Sequence, residues 1–400
     1  MQDTHKKSSL SSRQSSPSTY EQYLDFFEEV YQTMEKNYYF TVKREDFDRF
    51  IEKFDRDIYG KLANKREKVN YVLWRSTAFL IDYLKDPEDK FSAFIPPKPA
   101  KVFEAKVLGH KIDLGIEGKL TQMGFLITRV EPHSDAYLKG LRANDVILKI
   151  DDVSVETLKE EEIKSLLTPL VDTTVNIYYL SGIEKKETAV SLTSKEYFKQ
   201  SVFLVPVHVP GVYCLQVQAF NRKTSDELFS YLSFIRKQGD ESSLVLDLRG
   251  NPGGPPLAAR EISAFFLPPG EEFAYFQKRG EPKSSLDIPR LPADYHYSGQ
   301  IAILVDKESG SASELFSGVM QKRGRAILIG KPTAGQVFLK SMFNFADESM
   351  LLLVTARGHF PDGGMFPYSG LIPDLPIREQ TVDLVNFAVG YLVSLKKKGE

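Results

Sequence analysis

One stretch of the sequence, residues 300–340, combines the patterns of a strand, a serine-bearing turn, a helix and a second strand. Residues 301–305 form a short apolar run that is typical of a buried parallel strand. Charged residues and Gly310 interrupt this run, and residues 326–329 form another one. Between them, apolar residues recur at helical spacing, namely Leu315, Phe316, Val319 and Met320. The pattern predicts part of an α/β sheet with Ser311 at the start of a helix.

Ser311 has two interpretations at this turn. It precedes Glu314 by three residues, which is the spacing of a helix capping box. It could equally be a nucleophile, because a strand-to-helix turn exposes a hydroxyl group and aims helix N–H groups at a developing oxyanion. Residues 244–248 predict a second buried strand, which runs into a glycine-rich turn at 249–254 that brings backbone N–H groups close to a ligand. Two such turns favour a functional site.

Three segments together resemble the carboxyl-terminal processing peptidases, also called tail-specific proteases. They are SLVLDLRGNPGG at 243–254, SGSASELFSGVMQKRGRAILIGKPTAGQ at 309–336 and GLIPDLPI at 370–377. The resemblance implies a serine endopeptidase in which Ser311 is the nucleophile and no cofactor is needed. It also implies that the amide of Ala312 and that of Gly253 or Gly254 hold the oxyanion.

The sequence departs from the family at the general base. The family has a lysine there and a glutamine four residues later, whereas this chain has Gln336 first and Lys340 second. In a strand, Lys340 shares a face with Phe338 and Met342, and apolar neighbours lower the pKa of a lysine. Four strand residues nevertheless span roughly 13 Å, more than a lysine side chain reaches unaided.

This exchange leaves two hypotheses open. In the first, Lys340 takes the proton of Ser311 and Gln336 helps to position it. In the second, the chain is a peptidase-like scaffold that has lost its base and binds C-terminal peptides without cutting them. A histidine-dependent hydrolase is a third reading, but relatives of that kind carry the histidine in a segment that here reads Asp-Pro-Glu-Asp, at 86–89. Cysteine and histidine spacings predict no metal site.

The middle of the chain resembles a PDZ domain. Its pattern includes DLGI at 113–116, GFLI at 124–127 and GLRANDVI at 140–147. PDZ domains add a peptide strand to a sheet edge and hold its terminal carboxylate in a nest of backbone amides. Leu114, Gly115 and Ile116 are the predicted nest, and the predicted partners are protein or peptide substrates bound through their C-termini.

The predicted fold class is a multi-domain α/β protein with a helical N-terminal part, a small β-rich module and a mostly parallel catalytic sheet. A disordered serine-rich tail (1–19) precedes the helical region (20–90), whose aromatic stripes predict a core and, secondly, a homo-oligomer interface. A proline-rich linker (91–103) leads to the PDZ-like domain (104–195). The peptidase core (196–395) follows, with an irregular excursion at 271–292, and a basic tail (396–400) ends the chain.

Composition and local sequence patterns restrict the possible partners of the protein and its possible cellular location. A net charge of −2 argues against nucleic acid, and the absence of an apolar run of eighteen residues argues against a membrane span. The lone Cys214 is predicted to be a core residue. Residues 1–19 lack the apolar region of a signal peptide. Because the family resemblance implies export, we expect a periplasmic or other extracytoplasmic protein whose signal has been removed, with a cytoplasmic location as the alternative.

Overall fold

The computed structural model describes residues 19–54, 69–107, 110–239, 242–291, 295–377 and 382–399. The chain divides into two compact units. The first comprises Met1–Ala100 with Lys340–Ala356, and the second Lys101–Leu339 with Arg357–Glu400. The predicted disordered tail lies, apart from Thr19, outside the described residues.

Helices dominate the first unit, as predicted. They are α1 (Thr19–Asn37), α2 (Arg44–Lys53) and α3 (Val69–Leu84). Aromatic residues at helical spacing form the core of the unit, and the ring centres of Phe27 and Phe54 lie 4.9 Å apart, edge to face. The aromatic stripes thus act first as core residues.

The predicted proline-rich linker contains regular structure. Strand β1 (Ala93–Ile95) is followed by helix α4 (Pro97–Val107). Pro97 and Pro99 fall in the first turn of this helix, where backbone N–H groups have no partner within the helix. The prolines therefore start a helix at the position where their density in the sequence predicted a linker.

The second unit begins with the small β-rich module. Strand β2 (His110–Asp113) pairs with the later strand β9 (Lys195–Phe198). An antiparallel sheet has the order β3-β4-β5-β7-β8, and β6 pairs with β5. Its strands and helices are β3 (Ile116–Thr121), β4 (Gly124–Val130), α5 (Asp135–Leu138), β5 (Val146–Ile150), β6 (Val153–Ser154), α6 (Glu160–Leu166), β7 (Thr174–Leu180) and β8 (Glu187–Thr193). Phe125, Ile147 and Ile163 are completely buried in its core.

A six-stranded sheet with the order β10-β11-β12-β15-β16-β19 forms the centre of the second unit. The edge strand β10 is antiparallel to β11, and the other neighbours are parallel, which gives the mostly parallel sheet that the sequence predicted. The strands are β10 (Val202–Val205), β11 (Val212–Val217), β12 (Ser243–Asp247), β15 (Ile301–Val305), β16 (Ile327–Gly330) and β19 (Leu375–Pro376). The accompanying helices are α7 (Thr224–Gln238), α8 (Pro256–Ser263), α9 (Ala312–Lys322) and α10 (Leu384–Gly399).

This sheet brings the two sequence motifs together. All residues of β12 and β15 are buried, which explains the apolar sequence of β15 and of residues 244–246 in β12. The two strands are parallel neighbours, so the turns that follow them lie at the same edge of the sheet. Those turns contain Gly253 and Ser311.

Three remaining segments differ from the sequence-based expectation. The excursion at 271–292 contains a hairpin of β13 (Glu272–Gln277) and β14 (Ser284–Asp287). The basic tail is the end of α10, which continues to Gly399. Strands β17 (Phe338–Asn344) and β18 (Met350–His359) contribute to both units.

Neither α10 nor any other described helix has the length and apolar character needed to cross a membrane.

The buried thiol of Cys214 provides a test of the central sheet. Burial raises its pKa to about 12, so the reactive thiolate is scarce near neutral pH. We expect no reaction of the folded protein with a disulfide reagent such as DTNB at about pH 8, and one thiol per chain after unfolding in guanidinium chloride. Rapid reaction of the folded protein would contradict the burial of β11.

Candidate active site

Ser311 occupies a strained turn between β15 and α9. Its φ is 54° and its ψ is −114°, whereas a helix N-cap residue normally has an extended backbone. A positive φ at a serine between a strand and a helix is the geometry of a nucleophile turn. The Glu314 carboxylate accepts the Ser311 N–H at 3.0 Å, so this part of the predicted capping box is present as well. The backbone favours the nucleophile interpretation over a simple cap.

Glu314 joins the serine turn to a second turn more than twenty residues later. Its carboxylate is almost completely buried, at 1% exposure. One oxygen, Oε1, accepts the Thr333 hydroxyl and the Gly335 N–H, each at 2.6 Å. The other, Oε2, accepts the Gln336 N–H at 2.7 Å in addition to the Ser311 N–H. Four donors thus satisfy one buried carboxylate.

The glycine turn after β12 packs directly against Ser311. A Cβ atom on Gly253 would lie 2.8 Å from the Ser311 Cβ and 2.7 Å from the Ala312 nitrogen. The φ of Gly253 is 97°, which also disfavours any other residue. The Asn251 carbonyl accepts the Gly310 N–H and the Ser313 hydroxyl, both at 3.0 Å. These contacts fix the two turns to each other.

The hydrogen bonds discriminate between the two candidate oxyanion glycines. The Gly253 N–H donates to Oδ1 of Asn251 at 2.8 Å, so an internal acceptor already uses it. Within the described part of the chain, no acceptor takes the N–H of Gly254 or that of Ala312. The Ala312 amide directly follows Ser311, and the Gly254 amide follows the glycine that packs on Ser311.

The structure separates the surroundings of Gln336 and Lys340. The Gln336 side chain lies beside the serine turn, with Oε1 at 3.6 Å from the position of a Cβ on Gly310. Lys340 lies in β17 within the first unit, where its Nζ is 5.1 Å from the centre of the Phe91 ring. The glutamine, at the family's lysine position, is thus next to the serine turn.

Two histidines of the second unit, His296 and His359, have lowered pKa values. His359 is buried and its ring stacks on Tyr275 with centres 4.8 Å apart, and burial lowers its pKa. Burial also lowers the pKa of His296. Among the described residues, no group of three or more His, Cys, Asp or Glu side chains is arranged to hold a metal ion.

The closing motif at 370–377 supports the second turn. The Leu371 N–H donates to the Thr333 hydroxyl at 2.7 Å, and that hydroxyl in turn donates to Glu314. The Asp374 carboxylate accepts the Leu328 N–H at 2.8 Å at the start of β16. The motif therefore has a structural role.

The sequence reasoning missed the roles of Asn251, Thr333 and Glu314 as connecting residues. Glu314 was recognised only as a capping-box partner of Ser311. Residues 312–320 of α9 are all buried, so the charged Glu314 among them requires buried hydrogen-bond partners. The identity of those partners depends on contacts between distant parts of the chain.

The predicted PDZ loop lies between β2 and β3. Leu114 is completely buried, Ile116 is 9% exposed and the φ of Gly115 is 77°. A Cβ on Gly115 would lie 2.1 Å from the Ser134 Cβ, so the loop is packed tightly on the module. The Gly115 N–H donates to Oδ1 of Asp113 at 2.6 Å.

Replacing Glu314 tests how far it holds the site together. In Glu314→Gln, the amide group offers one acceptor oxygen to four donors, and its NH2 group faces N–H groups. We expect the free energy of unfolding to fall by about 3 kcal/mol, as measured by denaturant titration. The exposed Glu308, in the same loop before Ser311, provides the control Glu308→Gln. Equal effects of the two substitutions would contradict the connecting role.

Family models match the two modules of the second unit. Residues 211–377 match the model described as peptidase family S41, and residues 101–178 match the PDZ domain. A "Probable CtpA-like serine protease" of Staphylococcus haemolyticus is 27% identical over 354 residues, which cover 84% of this chain and 69% of the relative. A protein of the same description from Staphylococcus epidermidis is 24% identical over 388 residues, covering 96% of this chain and 70% of the relative.

Solved structures share the fold. The photosystem II D1 C-terminal processing protease has a TM-score of 0.52 at 18% identity, covering 92% of this chain and 96% of that one. The tricorn protease has a TM-score of 0.55 at 15% identity, covering 95% of this chain and 37% of that one. The chain thus contains a peptidase family S41 module and a PDZ module, and over most of its length it is similar to carboxyl-terminal processing serine proteases.

Proposed function

We propose that the protein is a serine endopeptidase whose PDZ domain captures the C-terminal segment of a protein substrate and whose Ser311 cleaves a peptide bond. The observation that carries this proposal is the strained backbone of Ser311, with φ at 54°, in a turn on which the glycine turn after β12 packs directly. A strained serine turn is costly and persists where the surrounding structure maintains it. Here the contacts of Glu314 and Gly253 maintain it.

The proposed chemistry is acyl transfer. The Ser311 Oγ attacks the carbonyl carbon of the scissile bond and passes its proton to a base, which gives a tetrahedral intermediate. The N–H groups of Ala312 and Gly254 donate hydrogen bonds to the oxyanion, and one such donor contributes about 3 kcal/mol to stabilising the transition state. The amine product leaves with a proton, and water then hydrolyses the acyl-enzyme. No step uses a cofactor.

Lys340 is the proposed general base, with Gln336 as its positioning partner. The alternation of β17 gives Lys340 the same face as Phe338 and Met342, and apolar neighbours favour the neutral amine that a base requires. The Phe91 ring has the opposite effect, because an aromatic face stabilises the ammonium form. The Phe91 ring therefore opposes the loss of the Lys340 proton that a general base requires.

A second candidate function is a catalytically degenerate scaffold that binds C-terminal peptides without cutting them. The observation in its favour is the position of Gln336 beside the serine turn, since a glutamine amide cannot take up the hydroxyl proton. In this alternative, the PDZ domain keeps its binding function and Ser311 lacks a base.

The proposal also covers the substrates of the protein, its self-association and its cellular location. Protein or peptide substrates are the partners, and the first unit provides a surface for a homo-oligomer. Tyr71, Phe79 and Tyr83 of α3 support this surface, because between 45% and 51% of each is exposed. An extracytoplasmic, periplasmic location rests on the family resemblance alone.

Digestion of an unfolded substrate such as casein separates the two functions. We expect wild type to cut, Ser311→Ala to lose more than about a thousandfold in rate, and Lys340→Ala to lose at least about a hundredfold. Electrophoresis of the products provides the measurement, and circular dichroism of each variant verifies folding.

Two other outcomes are informative. Full activity of Lys340→Ala would refute the base assignment and leave Ser311 as the nucleophile. If wild type is inert and Gln336→Lys cuts, the scaffold alternative is correct, because restoring the family's lysine restores the reaction.

A further inference from the structure

Arg357 is a half-buried cation in β18 that has no carboxylate partner among the described residues. Its guanidinium lies 4.0 Å from the centre of the Tyr368 ring and 5.9 Å from that of the Phe338 ring. It donates one hydrogen bond, from Nη2 to the carbonyl of Phe366 at 3.3 Å. An arginine carries five N–H donors. Within the described part of the chain, most of the hydrogen-bonding capacity of this guanidinium is therefore unused.

The elements around Arg357 do not neutralise it. Strand β13 places the uncharged Gln277 opposite Arg357. Asp362, the acidic residue of the loop that follows β18, pairs with Lys322 at 2.6 Å. His359 lies two residues further along the same face of β18, and its buried Nδ1 has no hydrogen-bond partner in the described structure. A half-buried cation and a buried polar nitrogen without a partner both indicate that a ligand completes this face.

This arginine lies next to the serine site. Tyr368, on whose ring Arg357 stacks, packs on the turn that follows β16. A Cβ atom on Gly335 of that turn would lie 2.0 Å from the Tyr368 carbonyl oxygen. The Gly335 N–H donates to Glu314, which also accepts the N–H of Ser311. The ring under Arg357 thus belongs to a segment that contacts the framework of the serine turn directly.

The geometry of Arg357 is suited to a carboxylate. Stacking on an aromatic ring uses the flat face of a guanidinium and leaves the N–H groups at its edge for a planar anion. A carboxylate can accept two of these N–H groups side by side, which is the strongest hydrogen-bonded pair that an arginine forms. In a peptide, carboxylates occur on aspartate and glutamate side chains and at the C-terminus.

We propose that Arg357 is a specificity-determining residue that binds a carboxylate of the substrate beside Ser311, either an acidic side chain or the C-terminal carboxylate. This inference rests on the proposed function, because it specifies which part of a peptide the peptidase core itself recognises. Cleavage then occurs at a fixed distance from an acidic group.

Peptide binding in the Ser311→Ala background tests this inference on the full chain without interference from cleavage. The probe is a fluorescein-labelled decapeptide of alanine, glycine and serine with a C-terminal amide, which is neutral. One series introduces a single glutamate at each position in turn, and another peptide has a free C-terminal carboxylate. Fluorescence anisotropy gives the affinities. We expect a carboxylate in one of these two arms to raise affinity about tenfold over the neutral peptide.

Substitutions assign this gain to Arg357. We expect Arg357→Gln to abolish it and to leave affinity for the neutral peptide unchanged, whereas Arg357→Lys keeps the charge and retains part of the gain. Arg236→Gln is the matched control. Arg236 also lies over a ring, 5.5 Å from the centre of Tyr295, but near the end of α7 and close to the start of β12, at the opposite edge of the sheet from Ser311. It should retain the full gain, and circular dichroism verifies the fold of each variant.

The two arms distinguish the source of the carboxylate. A gain from one glutamate position assigns an acidic side chain, and a gain from the free terminus assigns the C-terminal carboxylate. The inference is overturned if no carboxylate peptide binds better than the neutral one, if the gain survives Arg357→Gln because the PDZ module supplies it, or if Arg236→Gln removes it equally.

The casein assay separates failure of this inference from failure of the proposed function. If wild type cuts casein and binding shows no dependence on Arg357, the inference alone is wrong and Ser311 remains the nucleophile. If wild type does not cut and no peptide binds, both the inference and the proposed function are wrong.

Discussion

The buried carboxylate of Glu314 is the interaction on which the rest of the site depends. Burying a charged group is costly unless hydrogen bonds compensate it. Glu314 meets this requirement with donors from Ser311, Thr333, Gly335 and Gln336. The helix start and the later turn must therefore form together, and the positive φ of Ser311 is maintained only when both are in place.

Much of this arrangement could be predicted from the sequence because its central strands are buried on both faces. The apolar run at 301–305 coincides with β15, and the Asn-Pro-Gly-Gly turn follows β12 as expected. The structure of the segments at 91–103 and 271–292 was harder to predict. Their many prolines and charged residues are typical of irregular structure, yet the first segment contains the start of a helix and the second a hairpin. The partners of Glu314 come from across the fold, and no local pattern specifies such contacts.

In both modules of the second unit, side-chain oxygens of the chain itself accept hydrogen bonds from backbone N–H groups that could otherwise bind a ligand. The Gly253 amide donates to Asn251 beside the serine turn, and the Gly115 amide donates to Asp113 in the PDZ loop. Internal acceptors rigidify each loop and limit the ligands that it can take. At the serine turn the Gly254 and Ala312 amides have no backbone acceptor within the described part of the chain, and in the PDZ module β3 is the outermost strand of its sheet.

The central claim is that the fold presents Ser311 as a nucleophile. The most direct measurement is covalent labelling of the native protein with a fluorophosphonate probe, followed by mass spectrometry of the modified peptide. We expect one label per chain, on Ser311, and no label when the protein is unfolded before labelling. An unmodified Ser311 under conditions that label a serine protease standard would contradict it.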